Sequence, residues 1–196
     1  MQHLLKDSDL SKAQIEALIA LGKSVKADPK KYGQALAGKS VVTLFEKPSL
    51  RTRVTFDIGI ARLGGHSVYL DQQNGALGKR ESVKDFAANL SRWCDAIVAR
   101  VFDHQTLVEL AEHGSVPVVN SLCNLYHPCQ GLADFMTIAE HYADLSKVKL
   151  AYLGEVLMDN RHGLVVDACV VHATGTGECA AALGVLAALP PREATV

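Results

Sequence analysis

Short apolar, β-branched runs alternate with stretches of helical character through most of this chain, and that alternation admits few folds. The runs are Ser40–Phe45, Ser67–Leu70, Asp95–Val101, Val116–Val119 and Val148–Leu153. Helices are expected between them, over Ser49–Leu63, Ser82–Trp93, Gln105–His113 and Pro128–Asp144. An earlier helix should start at a Ser11–Gln14 capping box and carry Ile15, Leu18 and Ile19 on one face. Gly64 and Gly65 should stop the helix that follows the first strand. Strands this short and apolar are buried on both faces, and helical crossovers between them make the sheet parallel. An α/β fold with a parallel sheet flanked by helices is therefore expected. Ligands of such sheets sit outside the carboxyl ends of the strands. The loops after Phe45, Leu70, Arg100 and Val119 are where chemistry should be sought.

Composition narrows the function classes. With 48% hydrophobic residues the chain can bury a core, which excludes wholesale disorder. Lys and Arg number 20 against 21 Asp and Glu, so neither nucleic acid nor an anionic membrane is expected as a partner. No apolar run reaches the roughly 18 residues of a membrane span. The opening MQHLLKDSDL lacks the layout of a signal peptide. The five Cys are odd in number and contain no C-x-x-C, which argues against a disulfide framework or a zinc site. A cytoplasmic protein with no metal and no cofactor is the expectation.

Three loops carry candidate residues. After the first strand comes Phe45-Glu-Lys-Pro-Ser-Leu-Arg-Thr-Arg53. Ser49 suits an N-cap, and Leu50, Arg51 and Thr52 fall in the first helical turn, where backbone N–H groups lack intrahelical partners. The helix dipole, the guanidinium groups of Arg51 and Arg53, and the hydroxyls of Ser49 and Thr52 together suit a phosphate. The plain alternative is a capped helix with two solvated arginines. Arg100 ends the third strand, where it could equally pair with Asp103. His127 and Gln130 flank Pro128 at a helix start and should project toward the same crevice, where they could polarise a carbonyl. Otherwise His127 only caps the helix.

F-E-K-P-S-L-R-T-R, the A-R-V at 99–101 and H-P-C-Q at 127–130 resemble the carbamoyl-phosphate-binding half of the aspartate/ornithine carbamoyltransferases. The ornithine branch is the more similar, through F-E-K-P-S, L-G-G-H, L-G-K-R-E-S and D-A-I-V-A-R-V. The resemblance covers residues 1–154. It implies that Ser49, Leu50, Arg51 and Thr52 bind the phosphate of carbamoyl phosphate, with Arg53 supporting the turn. It implies that Arg100, His127 and Gln130 are catalytic, holding the carbamoyl group and stabilising its oxygen as an amine attacks. The implied reaction is carbamoyl transfer to L-ornithine, giving citrulline and phosphate in arginine biosynthesis. A homotrimer is implied too, with the loop Gln72–Ser82 reaching into a neighbour's site. Ala76 stands where many ornithine enzymes carry Gln or His, and Lys79 or Arg80 could compensate.

Residues 155–196 depart from that pattern. Tyr152-Leu-Gly-Glu155 resembles the opening of the family's amino-acid-binding domain, but no Ser-Met-Gly or His-Cys-Leu-Pro follows. The expectation is a truncated, inactive carbamoyltransferase in which L-ornithine binds only if the missing half is supplied. The alternatives are a non-catalytic phosphate-ligand module and a nonfunctional product of gene disruption. Residues 156–196 resemble a fragment of an insertion-sequence transposase. They read as a strand over Leu164–Ala173 and a helix over Cys179–Leu189, with Asp159 and Asp167 as solvated acids. Gly175–Ala180 fits G-x-G-x-x-A but lacks the second strand and acid of a dinucleotide site, and reads as a loop.

Overall fold

The computed structural model describes residues 3–71, 77–78 and 81–142, and the backbone of 151–152, 157–158, 165–167 and 169–170. Two compact units divide the chain, Met1–Thr137 and Ile138–Val196. Ala76, Lys79, Arg80, Asp159, the Gly175–Ala180 motif and the Cys179–Leu189 helix lie outside the described residues.

The first unit begins with a 3-10 turn at Asp7–Asp9 and α1 (Lys12–Ala27). The capping box forms as expected: Gln14 N donates to Ser11 Oγ, and Ser11 N donates to Gln14 Oε1 at 2.8 Å. The apolar face of α1 is shallower than its spacing suggests. Leu18 is 40% exposed and no α1 residue is buried. Then follow β1 (Ser40–Phe45), α2 (Leu50–Arg62), β2 (His66–Asp71), α3 (Val83–Leu90), β3 (Ala96–Arg100), α4 (His104–His113), β4 (Val118–Leu122) and α5 (Pro128–His141). Gly64 ends the α2 connection at φ +85°, which only glycine adopts freely.

The four strands form one parallel sheet in the order β2-β1-β3-β4. β1 is central, and Val41–Phe45 are all buried, as a parallel strand covered on both faces requires. Alternation splits its side chains between two cores. Val42 and Leu44 join Ile97, Ala99 and Val118 under Ala87 and Leu90 of α3 and Leu107 and Leu110 of α4. Val41 and Val98 pack on the opposite face with Ile60 of α2. Helices thus cover both faces, as the alternation implies.

β4 is displaced from its expected place by two to three residues. Pro117 has no N–H for a ladder, so pairing starts at Val118. It then continues through the polar Asn120 and Ser121, both fully buried. Asn120 belongs there because its amide donates to Leu5 O at 2.7 Å. Ala99 pairs with Asn120 and Arg100 with Leu122, so Ser121 is an extra residue that bulges the strand beside Arg100. Beyond β4, Leu4 bridges in parallel to Val119, with Leu4 N donating to Val118 O and Asn120 N to Leu4 O.

Among the described residues of the second unit are four short strands. β5 (Ala151–Tyr152) pairs in parallel with β8 (Cys169–Val170), and β6 (Leu157–Met158) pairs antiparallel with β7 (Val165–Asp167). Of the expected fifth strand, the described residues Ala151–Tyr152 pair in parallel with β8. Within the expected run at Leu164–Ala173, the described residues form two strands with different partners.

Candidate active site

The strand order reverses at β1, with β2 on one side and β3 on the other. Such a switch point opens a crevice at the carboxyl ends of the strands. The loops after β1 and β3 are fastened together there. Glu46 N donates to Arg100 O at 2.8 Å, and Phe102 N donates to Glu46 Oε2 at 2.7 Å. Glu46 has no place in the expected site, since nothing in its local pattern reveals a partner across the sheet.

Ser49 occupies the N-cap of α2 with extended backbone, but its hydroxyl does not cap the helix. It donates instead to Thr52 Oγ1 at 3.0 Å. The first-turn N–H groups of Leu50, Arg51 and Thr52 thus keep the unpaired character that any helix start confers. Arg100 Nη1 reaches the same Thr52 hydroxyl at 3.2 Å. Asp103 is not the partner of Arg100; its carboxylate accepts from Gln105 N and caps α4.

The two arginines of the turn go different ways. Arg51 is exposed at the helix start. Arg53 lies over Tyr69, 3.6 Å from the ring centre, with Nε 3.6 Å from Asp57 Oδ2. Asp57 in turn accepts from Ser67 Oγ at 2.6 Å and Thr43 Oγ1 at 3.4 Å. Arg53 and Asp57 therefore seat α2 on β1 and β2, while Ser49, Thr52 and Arg100 meet in one cluster.

His127 comes from the turn after β4. Its Nδ1 is buried and without a partner, as is Nε of Arg100. Burial pushes the imidazole pKa below its ordinary value, the nearby Arg100 charge pushes it further down, and Asp134 and Asp7 oppose both. The ring is consequently neutral at pH 7. Burial also lowers the pKa of Arg100, whose ordinary value lies so far above neutrality that the guanidinium stays charged. The turn that presents His127 is built on Cys123, whose sulfur accepts from Tyr126 N at 3.2 Å and Leu125 N at 3.4 Å. The carbonyl of His127 receives the N–H groups of Gln130 and Gly131, which starts α5. Gln130 is held one turn along, its Nε2 donating to Asp134 Oδ1 at 2.8 Å.

The cluster is rich in donors: a guanidinium, hydroxyls and helix-start amides, with a neutral imidazole alongside. That is chemistry for a phosphate beside a carbonyl. Among the described residues no group of three or more His, Cys, Asp or Glu is placed to hold a metal, and no helix is long and apolar enough to cross a membrane.

Residues 2–140 match the family of the aspartate/ornithine carbamoyltransferase carbamoyl-P binding domain. Ornithine carbamoyltransferase of Vibrio sp. (strain 2693) is 67% identical over 179 residues, covering 91% of this chain and 59% of the relative. That of Moritella abyssi gives the same figures, 67% identity over 91% of this chain and 59% of the relative. The crystal structure of ornithine carbamoyltransferase from Thermus thermophilus superposes with a TM-score of 0.74 at 43% identity, over 79% of this chain and 54% of that one. The chain thus spans about three-fifths of the length of the curated relatives it matches. By the match over residues 2–140 and these identities, the chain belongs to the aspartate/ornithine carbamoyltransferase family and contains its carbamoyl-phosphate-binding domain.

Proposed function

We propose that this chain binds carbamoyl phosphate at the α2 start, and that the chemistry it serves is carbamoyl transfer to L-ornithine. Ser49, Leu50, Arg51 and Thr52 take the phosphate. Arg100 and His127 hold the carbamoyl oxygen and stabilise the charge that grows on it as the amine attacks. Gln130 meets the carbamoyl nitrogen. Arg53 serves the turn indirectly, through Tyr69 and Asp57. One observation carries the reading: Arg100 spans to Thr52 while its own Nε and the neighbouring Nδ1 of His127 are buried without partners. Buried polar groups left unpaired cost about 1–3 kcal/mol each, and an oxygen-rich anion relieves that cost for Arg100.

Curated relatives named ornithine carbamoyltransferase favour ornithine as the acceptor. The family-type homotrimer is part of the same proposal. The 196 residues contain no Ser-Met-Gly or His-Cys-Leu-Pro element, so this chain alone should form little citrulline. Calorimetry with carbamoyl phosphate tests the binding step. Arg51→Ala removes a charge-assisted contact of about 1.5–3 kcal/mol, so affinity should fall roughly 10- to 150-fold. Equal affinity in wild type and variant would refute this placement of the phosphate.

A further inference from the structure

One helical turn beyond Gln130 lies a buried carboxylate. Asp134 is 5% exposed, and it accepts the side-chain amide of Gln130 at 2.8 Å. The two are i and i+4 on α5, where side chains stand one above the other. We infer that Asp134 is a positioning residue that fixes the polarity of the Gln130 amide, so that an acceptor oxygen and not a donor NH2 faces the ligand. This rests on the carbamoyl-phosphate reading and deepens it.

The chemistry is asymmetric. An amide has a donor end and an acceptor end, and free in solution either can turn to a ligand. An ionised carboxylate only accepts. Set against one, Gln130 must present its NH2 to Asp134 and keep its Oε1 for the other side. The cluster at the α2 start consists of groups suited to oxygens: Arg100, Ser49, Thr52 and the helix-start N–H groups. Carbamoyl phosphate carries one donor group, its NH2. An amide oxygen held as an acceptor beside these donors selects for that NH2, and separates carbamoyl phosphate from acetyl phosphate, which has a methyl group in its place.

Three probes read this out by calorimetry on the full chain: carbamoyl phosphate, acetyl phosphate and inorganic phosphate. Wild type should prefer carbamoyl over acetyl phosphate by roughly tenfold, the equivalent of one hydrogen bond. In Asp134→Asn the new amide can donate to Gln130, which frees Gln130 to turn its NH2 to the ligand. The preference should collapse toward one, with acetyl phosphate and phosphate affinities unchanged. Combining Gln130→Glu with Asp134→Asn restores a donor facing an acceptor, with the donor now on the amide introduced at position 134. It leaves a carboxylate oxygen for the ligand, so the preference should return even if the added charge weakens all three probes. An Asp134→Asn chain that keeps the preference, or that weakens all three probes equally, overturns the inference. Failure of wild type to bind any probe would instead refute the carbamoyl-phosphate reading itself, and this inference with it.

Discussion

Asp57→Ala should destabilise the first unit by about 3 kcal/mol, most of it lost through one hydrogen bond. Ser67 Oγ lies 2.6 Å from Asp57 Oδ1, the length of a charge-assisted O–H···O bond, worth about 1.5–3 kcal/mol. Thr43 sits at 3.4 Å, too far for a strong bond, but it is fully buried. Its stranded hydroxyl should add about 1 kcal/mol. Arg53 stands 3.6 Å away, with side chains 49% and 32% exposed, and an i,i+4 pair so solvated contributes about 0.3–0.5 kcal/mol. Urea unfolding followed by far-ultraviolet circular dichroism gives the free energies. Fluorescence is the poorer probe, because the single Trp93 is already 73% exposed in the folded chain. Double-mutant cycles should assign about 1.5 kcal/mol of coupling to Asp57–Ser67 and under about 0.5 to Asp57–Arg53. Thr43→Val added to Asp57→Ala should recover about 1 kcal/mol, since it removes the stranded hydroxyl. The reasoning fails if Arg53 couples to Asp57 more strongly than Ser67 does, or if Asp57→Ala costs less than about 1 kcal/mol.

Two further outcomes are expected. His127 has a depressed pKa in the folded chain, so below the ordinary value of 6.5 the unfolded chain binds the extra proton and stability falls as pH drops toward the folded-state value. His127→Gln should flatten that decline below about pH 6.5; His3 is shifted the same way, so an unchanged slope in the doubly substituted chain would dismiss both histidines as its source. Gly64→Ala should cost well over the roughly 1–2 kcal/mol of left-handed strain, because its Cβ would also lie 2.6 Å from Gly33 O. Gly38→Ala, at φ +73° with nothing within 4 Å, should cost only that strain, and equal thermal shifts for the two would show that the clash relaxes.

Elements with one dominant local signal are legible in the sequence. β1 falls at Ser40–Phe45 as expected, because an unbroken β-branched run has no competing reading. α2 fits between Ser49 and Gly64, each of which stops a helix in its own way. β4 lies beyond its expected place because its polar residues are satisfied, where they are, by groups far along the chain, such as Leu5 O for Asn120. The site divides on the same line. Ser49, Thr52, Arg100 and His127 can be named from their places at strand ends. Glu46, Asp57 and Asp134 cannot, since an acid's partner across a sheet or a turn away is set only once the elements have met. Arg53 shows the limit from the other side: its motif suggests an anion, and its neighbours Tyr69 and Asp57 take it for packing.

The bridge between Leu4 and β4 also bears on how the protein is made. His3 and Leu5 hydrogen-bond to residues 115 positions later. At roughly 5–20 residues per second, the ribosome delivers the second half of that contact about 6–23 seconds after the first. Through that interval the opening residues have nothing to pair with, while β1 can already meet β2 and then β3. The first residues synthesised are thus among the last to be placed, and the outer margin of β4 stays bare in every nascent chain until they return to it. A bulky fusion ahead of Met1 should therefore burden the closing step of assembly and leave the early strand pairings untouched.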